Sequence, residues 1–270
     1  MGNETSMMFF CALMSAVEGL SSVLILGERF AFPVRHCLML AWLAVLALVL
    51  GVLAIAMSLG HPELLLSLIA HRSSTFFPVA LTAGITLLAL LGYLWAHYQW
   101  SETRVTLLWA SFAGVASLAL VITTANLLRL PWNLAWQSPW IVITLVAWSL
   151  VGVAELGWAY VRSYRALKLA DRQVQAGRLV IGAFPVIASL FYLGSVPHFS
   201  WLTLWSENPW PILVDQGGWM WFMMFGFGVV GPWLLRKVSQ IGRAQAFAQL
   251  ILILVAVMSF HSLVHRMGEF

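Results

Sequence analysis

Between Cys37 and Ser58 the chain reads CLMLAWLAVLALVLGVLAIAMS, twenty-two positions without a charged residue. Wound as a helix, this run is about 33 Å long, enough to cross a hydrocarbon core of about 30 Å. A surface helix of a soluble domain keeps one polar face, and this one has none, so it belongs in a membrane or at the centre of a large core. The composition decides between the two. Of 270 residues 61% are apolar and only 9% charged, and the mean hydropathy is +0.90, whereas a soluble domain carries about a quarter charged residues.

Working outward from that run, similar stretches recur at roughly 7–26, 75–97, 105–127, 139–161, 178–196, 216–235 and 244–264. The expectation is an all-α integral membrane protein, a single polytopic domain over 1–270, with eight transmembrane helices in two four-helix bundles. An even number of spans puts both termini on one side. Arg29, Arg35, Arg104, Arg162, Arg165, Lys168, Arg172, Arg178, Arg236, Lys237 and Arg243 then fall on the opposite side, eleven of the fourteen positive charges. Arg72, Arg129 and Arg266 remain with the termini. Cationic loops stay inside, so the termini face outward, which in a bacterial inner membrane is the periplasm.

The net charge of +4 does not point to nucleic acid, because the cations sit between apolar runs and form no stripe. Cys11 and Cys37 begin successive spans, so they fall on opposite faces and cannot be bridged. The N-terminal MGNETS has no positive charge ahead of its apolar stretch, so no cleavable signal peptide is expected.

The outward segments LRLPWNLAWQSPW (128–140) and VPHFSWLTLWSENPWP (196–211) carry Trp132, Trp136, Trp140, Trp201, Trp205 and Trp210. Two readings stay open: an aromatic belt at the interface, or a docking surface, since these indoles lie inside loops with Pro131, Pro139, Pro209 and Pro211 and Trp is enriched where proteins meet. A third outward segment, SLGHPELLLSLIAHRSS (58–74), reads as a short interfacial helix with Pro62 in its first turn and Leu64, Leu65, Leu68 and Ile69 on one face. The inward basic loop 162–178 reads as an orientation signal.

Ionisable groups inside a membrane cost about 2.5 to 3.5 kcal/mol each on insertion scales, so each needs a reason. Glu18 falls near the middle of the first span and Glu155 in the fifth, closer to the inward face. Each is either a proton-handling carboxylate or a protonated acid hydrogen-bonded to a neighbouring helix. His36 and His97 lie near the inward face, and His61, His71, His198, His261 and His265 near the outward one. No two stand midway in different spans, so neither haem nor another metal is expected.

Leu59-Gly60-x-Pro62 after the second span, and the fourth span running into Pro131 and Trp136, together with span number and orientation, make the chain similar to the membrane anchor subunit of dimethyl sulfoxide reductase and its paralogues. That resemblance covers essentially the whole chain. It implies a heterotrimer of anaerobic respiration, in which a molybdopterin catalytic subunit and an iron-sulfur subunit dock on the outward face and the anchor oxidises menaquinol. Held outward by His61 and Asn126, the quinol would find Glu18 deeper as an acceptor. Arg72 is the other outward candidate, but it lies eleven residues from His61, about 16 Å along a helix, so at most one of the two touches the ring. The chain departs from the family at Ser58, where a His is usual, and at Ala80, where a Glu is. The quinol site is then rebuilt from other groups, or the chain is a passive anchor. A proton-coupled secondary transporter with Glu18 and Glu155 as coupling acids is the alternative from another class.

Overall fold

A computed structural model of the chain describes residues 2–29, 32–58, 71, 74–99, 103–128, 139–150 and 184–192, with scattered positions from 222 to 259. Among the described residues the structure is helical. Four long helices, α1 (Gly2–Arg29), α2 (Val34–Ser58), α3 (Phe76–Gln99) and α4 (Thr103–Leu128), come first in the chain. All four are long and apolar enough to cross a membrane. Two shorter pieces follow, α5 (Trp140–Leu150) and α6 (184–192).

The helices are bounded by recognisable chemistry. Pro33, which has no N–H to offer, precedes α2, and its carbonyl accepts from the His36 amide at 2.8 Å. Ser74 Oγ accepts from the Phe76 amide at 3.2 Å, capping α3, and Pro78 sits in the first turn, where a missing amide costs nothing. Pro139 leads into α5, with its carbonyl taken by Ile143. The first helix extends beyond the apolar stretch 7–26 at both ends, through Asn3 and Glu4 and through Glu28 and Arg29. Hydropathy measures the thickness of the membrane, whereas hydrogen bonding sets the length of the helix.

The four long helices alternate in direction. Contacts join the end of α1 to the starts of α2 and α4 (Gly27 to Cys37, Glu28 to Thr106), and the start of α3 to the end of α4 through Thr82 and Thr123. One end of the bundle therefore carries Arg29, Arg35 and Arg104, all exposed. It is called the arginine end below. Neighbours pack in the order α2, α1, α4, α3, with a thinner α2–α3 seam.

Of the described α1 side chains only Phe9 and Arg29 are exposed, so α1 is the central helix. The other three turn apolar side chains such as Trp42, Leu53, Leu88, Trp95, Leu108 and Val115 outward. Such faces suit lipid and would be a liability in water. Between the helices the residues are small: Ala41, Ala44, Ala89, Ala96, Ala110 and Ala113 are buried, as membrane helices need for close approach. A methyl at Gly51 would strike the flexible end of Met14, and one at Gly92 would strike the rigid Trp109 ring.

Two core clusters result. One fills the arginine end between α1, α2, α3 and α4, around Leu24, Leu40, Leu90 and Tyr93. The other lies toward the opposite end and joins α1 and α4 to α5, α6 and Ala256 through Met14, Leu120, Leu145, Trp148 and Tyr192. Trp148 packs over Gly228, where an added Cβ would lie 2.5 Å from the indole. That glycine belongs to a π-helical turn, Gly226–Val230, of the kind that often marks a functional position.

Candidate functional site

The first span holds two buried acids, and the structure gives them different surroundings. Glu18 is 1% exposed. Ser22, one turn along the same helix, donates to its Oε1 at 2.9 Å. Ser149 of α5 stands beside the carboxyl group, yet its hydroxyl donates to the Val146 carbonyl at 2.8 Å. Oε2 of Glu18 has no hydrogen-bond partner among the described residues, and neither do Ser21 Oγ, Thr124 Oγ1, Trp148 Nε1 and Ser189 Oγ. Buried polar atoms are nearly always paired in native structures. These five atoms are spread over α1, α4, α5 and α6.

The second acid is the one that sequence reasoning passed over. Glu28 lies in the last turn of α1 at the arginine end. Its Oε1 accepts from Tyr93 Oη at 2.6 Å and lies 2.7 Å from His97 Nε2, and its Oε2 accepts from Thr106 Oγ1 at 2.5 Å. His97 Nε2 is also 2.9 Å from Tyr93 Oη. Tyr93 and His97 stand four apart on α3, so one helical turn brings both to the carboxylate, their rings edge to face with centroids 4.7 Å apart. The Cys37 thiol of α2 lies beside the Tyr93 hydroxyl. Three helices thus meet at one carboxyl group, and α2 adds a thiol beside its phenol partner. The signal that could have found it was present: an up-down path brings residues 28, 93, 97 and 106 to one end, and Tyr93 and His97 share the spacing of one helix face.

Of the expected quinol residues, Glu18 is buried in α1. Asn126 is exposed in the last turns of α4, and no hydrogen bond joins it to Glu18 among the described residues. His61 and Arg72 lie outside the described residues, as do Trp132, Trp136, Trp201, Trp205 and Trp210, and also Glu155, His261 and His265. Trp140 is described: it is partly buried and stacks on Phe191 of α6 with ring centroids 4.8 Å apart. This indole therefore serves the contact between two helices. Cys11 and Cys37 are both buried and unpaired. Among the described residues no group of three or more His, Cys, Asp or Glu side chains could hold a metal.

The helices define a class: a multi-pass helical membrane protein, with at least two buried carboxyl groups in its first span. No family model matches the chain, and neither a curated protein nor a solved structure is similar to it.

Proposed function

We propose that the chain is the membrane anchor subunit of a molybdoenzyme complex resembling dimethyl sulfoxide reductase, an eight-span protein of the bacterial inner membrane that oxidises menaquinol. The observation that carries this reading is Glu18, a carboxyl group in the middle of the first span, buried to 1% exposure, with one oxygen that has no partner among the described residues. A carboxyl group at that depth is retained for function by default, and a bare oxygen can take a proton without breaking an existing bond.

In this reading menaquinol enters from the lipid at the end opposite the arginines. His61 and Asn126 hold its hydroxyls, with Arg72 the other cation within reach of that end, and Glu18 accepts a proton as the ring is oxidised. Each quinol gives up two protons and two electrons. The electrons leave to the nearest cluster of an iron-sulfur subunit, which docks with its molybdopterin partner on the Trp-bearing loops through Trp132, Trp136, Trp201, Trp205 and Trp210. The anchor itself needs neither haem nor metal. The protons leave outward, on the side where the partner consumes them, so turnover in liposomes builds no membrane potential.

Two measurements test this. Purification from native membranes in mild detergent, with molybdenum and iron determined on the same sample, is expected to bring both metals with the chain. The Glu18→Gln variant is then expected to assemble normally and lose quinol oxidation. Full turnover in that variant overturns the quinol role and leaves a passive anchor. A proton-coupled transporter is the second reading, favoured by the second buried acid, Glu28, with its imidazole partner. Uptake of a labelled solute by the chain alone, without co-purifying metals, establishes that reading instead.

A further inference from the structure

The cluster at the arginine end has no part in the quinol reading, which draws on the other end and on the centre of the first span. Its chemistry is set by one geometric fact: Glu28 Oε1, Tyr93 Oη and His97 Nε2 lie mutually within 2.9 Å. Three heavy atoms that close cannot each be bonded by a proton of its own. Tyr93 has one hydroxyl proton and spends it on Glu28. The remaining two edges of the triangle meet at His97 Nε2, so they share whatever single proton that nitrogen carries.

Two protonation states fit the same positions of the heavy atoms. With the extra proton bound, imidazolium donates Nε2–H to the carboxylate, or, after a transfer along the 2.7 Å contact, neutral imidazole faces a carboxylic acid. With that proton released, a carboxylate accepts from Tyr93, from Thr106 and from the Nε2–H of a neutral imidazole. The net charge of the pair changes from zero to minus one. A buried anion is costly unless it is hydrogen-bonded, and three donors from two other helices answer that need. A purely structural tie between helices requires only neutral donors and acceptors, such as the hydroxyl pair of Thr82 and Thr123 at the opposite end. An acid and an imidazole at the same duty add a titratable proton.

Access is short. The Glu28 and His97 side chains are 7% and 9% exposed, but Glu28 is one residue from exposed Arg29, and His97 is followed by exposed Tyr98 and Gln99. One turn of helix, about 5 Å, separates the pair from that rim. The groups that meet the pair are Tyr93 on α3 and Thr106 on α4, with the Cys37 thiol of α2 beside the Tyr93 hydroxyl; Arg29, Arg35 and Arg104 are exposed at the same end of the bundle.

We propose that Glu28 and His97, held by Tyr93 and Thr106, form a proton-exchange site one helical turn inside the arginine end of the bundle. Its occupancy is carried by a pair that joins α1 to α3, so binding or release of the proton alters the bond between these two helices. The site titrates in the chain itself and needs neither quinol nor a partner subunit, so its failure and the failure of the quinol reading are separate events.

The test is infrared difference spectroscopy on the full chain in nanodiscs of phosphatidylethanolamine and phosphatidylglycerol, stepped between about pH 4 and pH 9, a range that brackets ordinary Glu and His titration. The expected result is a carboxyl band and an imidazole band that change with one midpoint, both lost in Glu28→Gln. Tyr93→Phe keeps both titrating groups and the fold, and it removes one donor to the anion, so the bands persist while proton affinity rises about tenfold. If Glu28→Gln does not fold, the wild-type spectrum and Tyr93→Phe decide. Absence of the paired bands in the wild type, or a midpoint indifferent to Tyr93→Phe, overturns the proposal and makes the cluster a fixed tie.

Discussion

Glu18 and Glu28 are ten residues apart on α1, about 15 Å along the axis, and both are buried. Burial alone would class them together. Yet Glu28 is met by Tyr93, His97 and Thr106 from α3 and α4, whereas Glu18 is met by Ser22 of its own helix and has one oxygen without a partner among the described residues. Among the described residues the difference is between an acid tied to three side chains of two other helices and an acid tied to one side chain of its own helix. Removing the first should unsettle the bundle, and removing the second should unsettle only what the bundle does.

The largest expected effect tests the first half of that contrast. Glu28→Ala leaves a phenol, an imidazole and a hydroxyl without their acceptor and is expected to cost about 3 kcal/mol or more, in line with breaking a buried ionic pair from one side. Glu18→Ala is expected to cost about 1 kcal/mol, since it removes one intrahelical bond of a kind worth little in membranes. Reversible unfolding in detergent measures both. Equal losses would break the comparison.

A second pair of variants asks whether packing at the arginine end is as closed as its hydrogen bonding. Gly92→Ala is expected to cost about 1 to 3 kcal/mol, because the new methyl must displace the half-buried Trp109 ring where α3 and α4 approach closely. Gly84, on the same helix, has nothing within 4 Å of an added Cβ. Its alanine variant is expected to be neutral or to gain up to about 1 kcal/mol from the stiffer unfolded chain. The same unfolding measurement checks the two together, and only a difference between them supports the packing account.

What the sequence shows of this molecule follows the same division. The four long helices are legible because apolar runs have a length fixed by the membrane, and α2 and α4 begin and end within a few residues of the runs that announce them. Glu18 is legible too, being a charge where a charge is costly. Glu28 is not, because it sits beside Arg29 at the end of a run, where a charged residue is ordinary. Its role depends on His97 sixty-nine residues away. Periodicity along one helix carries no information about which residues of another helix stand at the same depth. Only the alternation of spans does, and it brings Tyr93, His97 and Thr106 to the end where Glu28 lies.

Tyr93→Phe gives a smaller and more selective effect. It deletes one donor to Glu28 while His97 and Thr106 remain, so a loss of about 1 kcal/mol is expected. Glu28→Gln should cost more, because the amide nitrogen places a donor where the carboxylate accepted. If the two variants cost the same, Tyr93 rather than the carboxylate organises the cluster, and the contrast with Glu18 then rests on Glu18 alone.

The smallest expected effect on stability is the most informative about function. In Glu18→Gln the amide oxygen can still accept from Ser22, and its NH2 takes the place of an oxygen that has no partner among the described residues. One unpaired polar group replaces another of nearly the same shape, so the change in unfolding free energy should lie within about 0.5 kcal/mol of zero. An amide, however, neither takes nor gives a proton near neutral pH. Whatever proton step the centre of the bundle performs should therefore disappear in a protein as stable as the original. A loss above about 1 kcal/mol would mean that Oε2 already has a structural partner in the intact protein, and Glu18 would then be an acid of the same kind as Glu28.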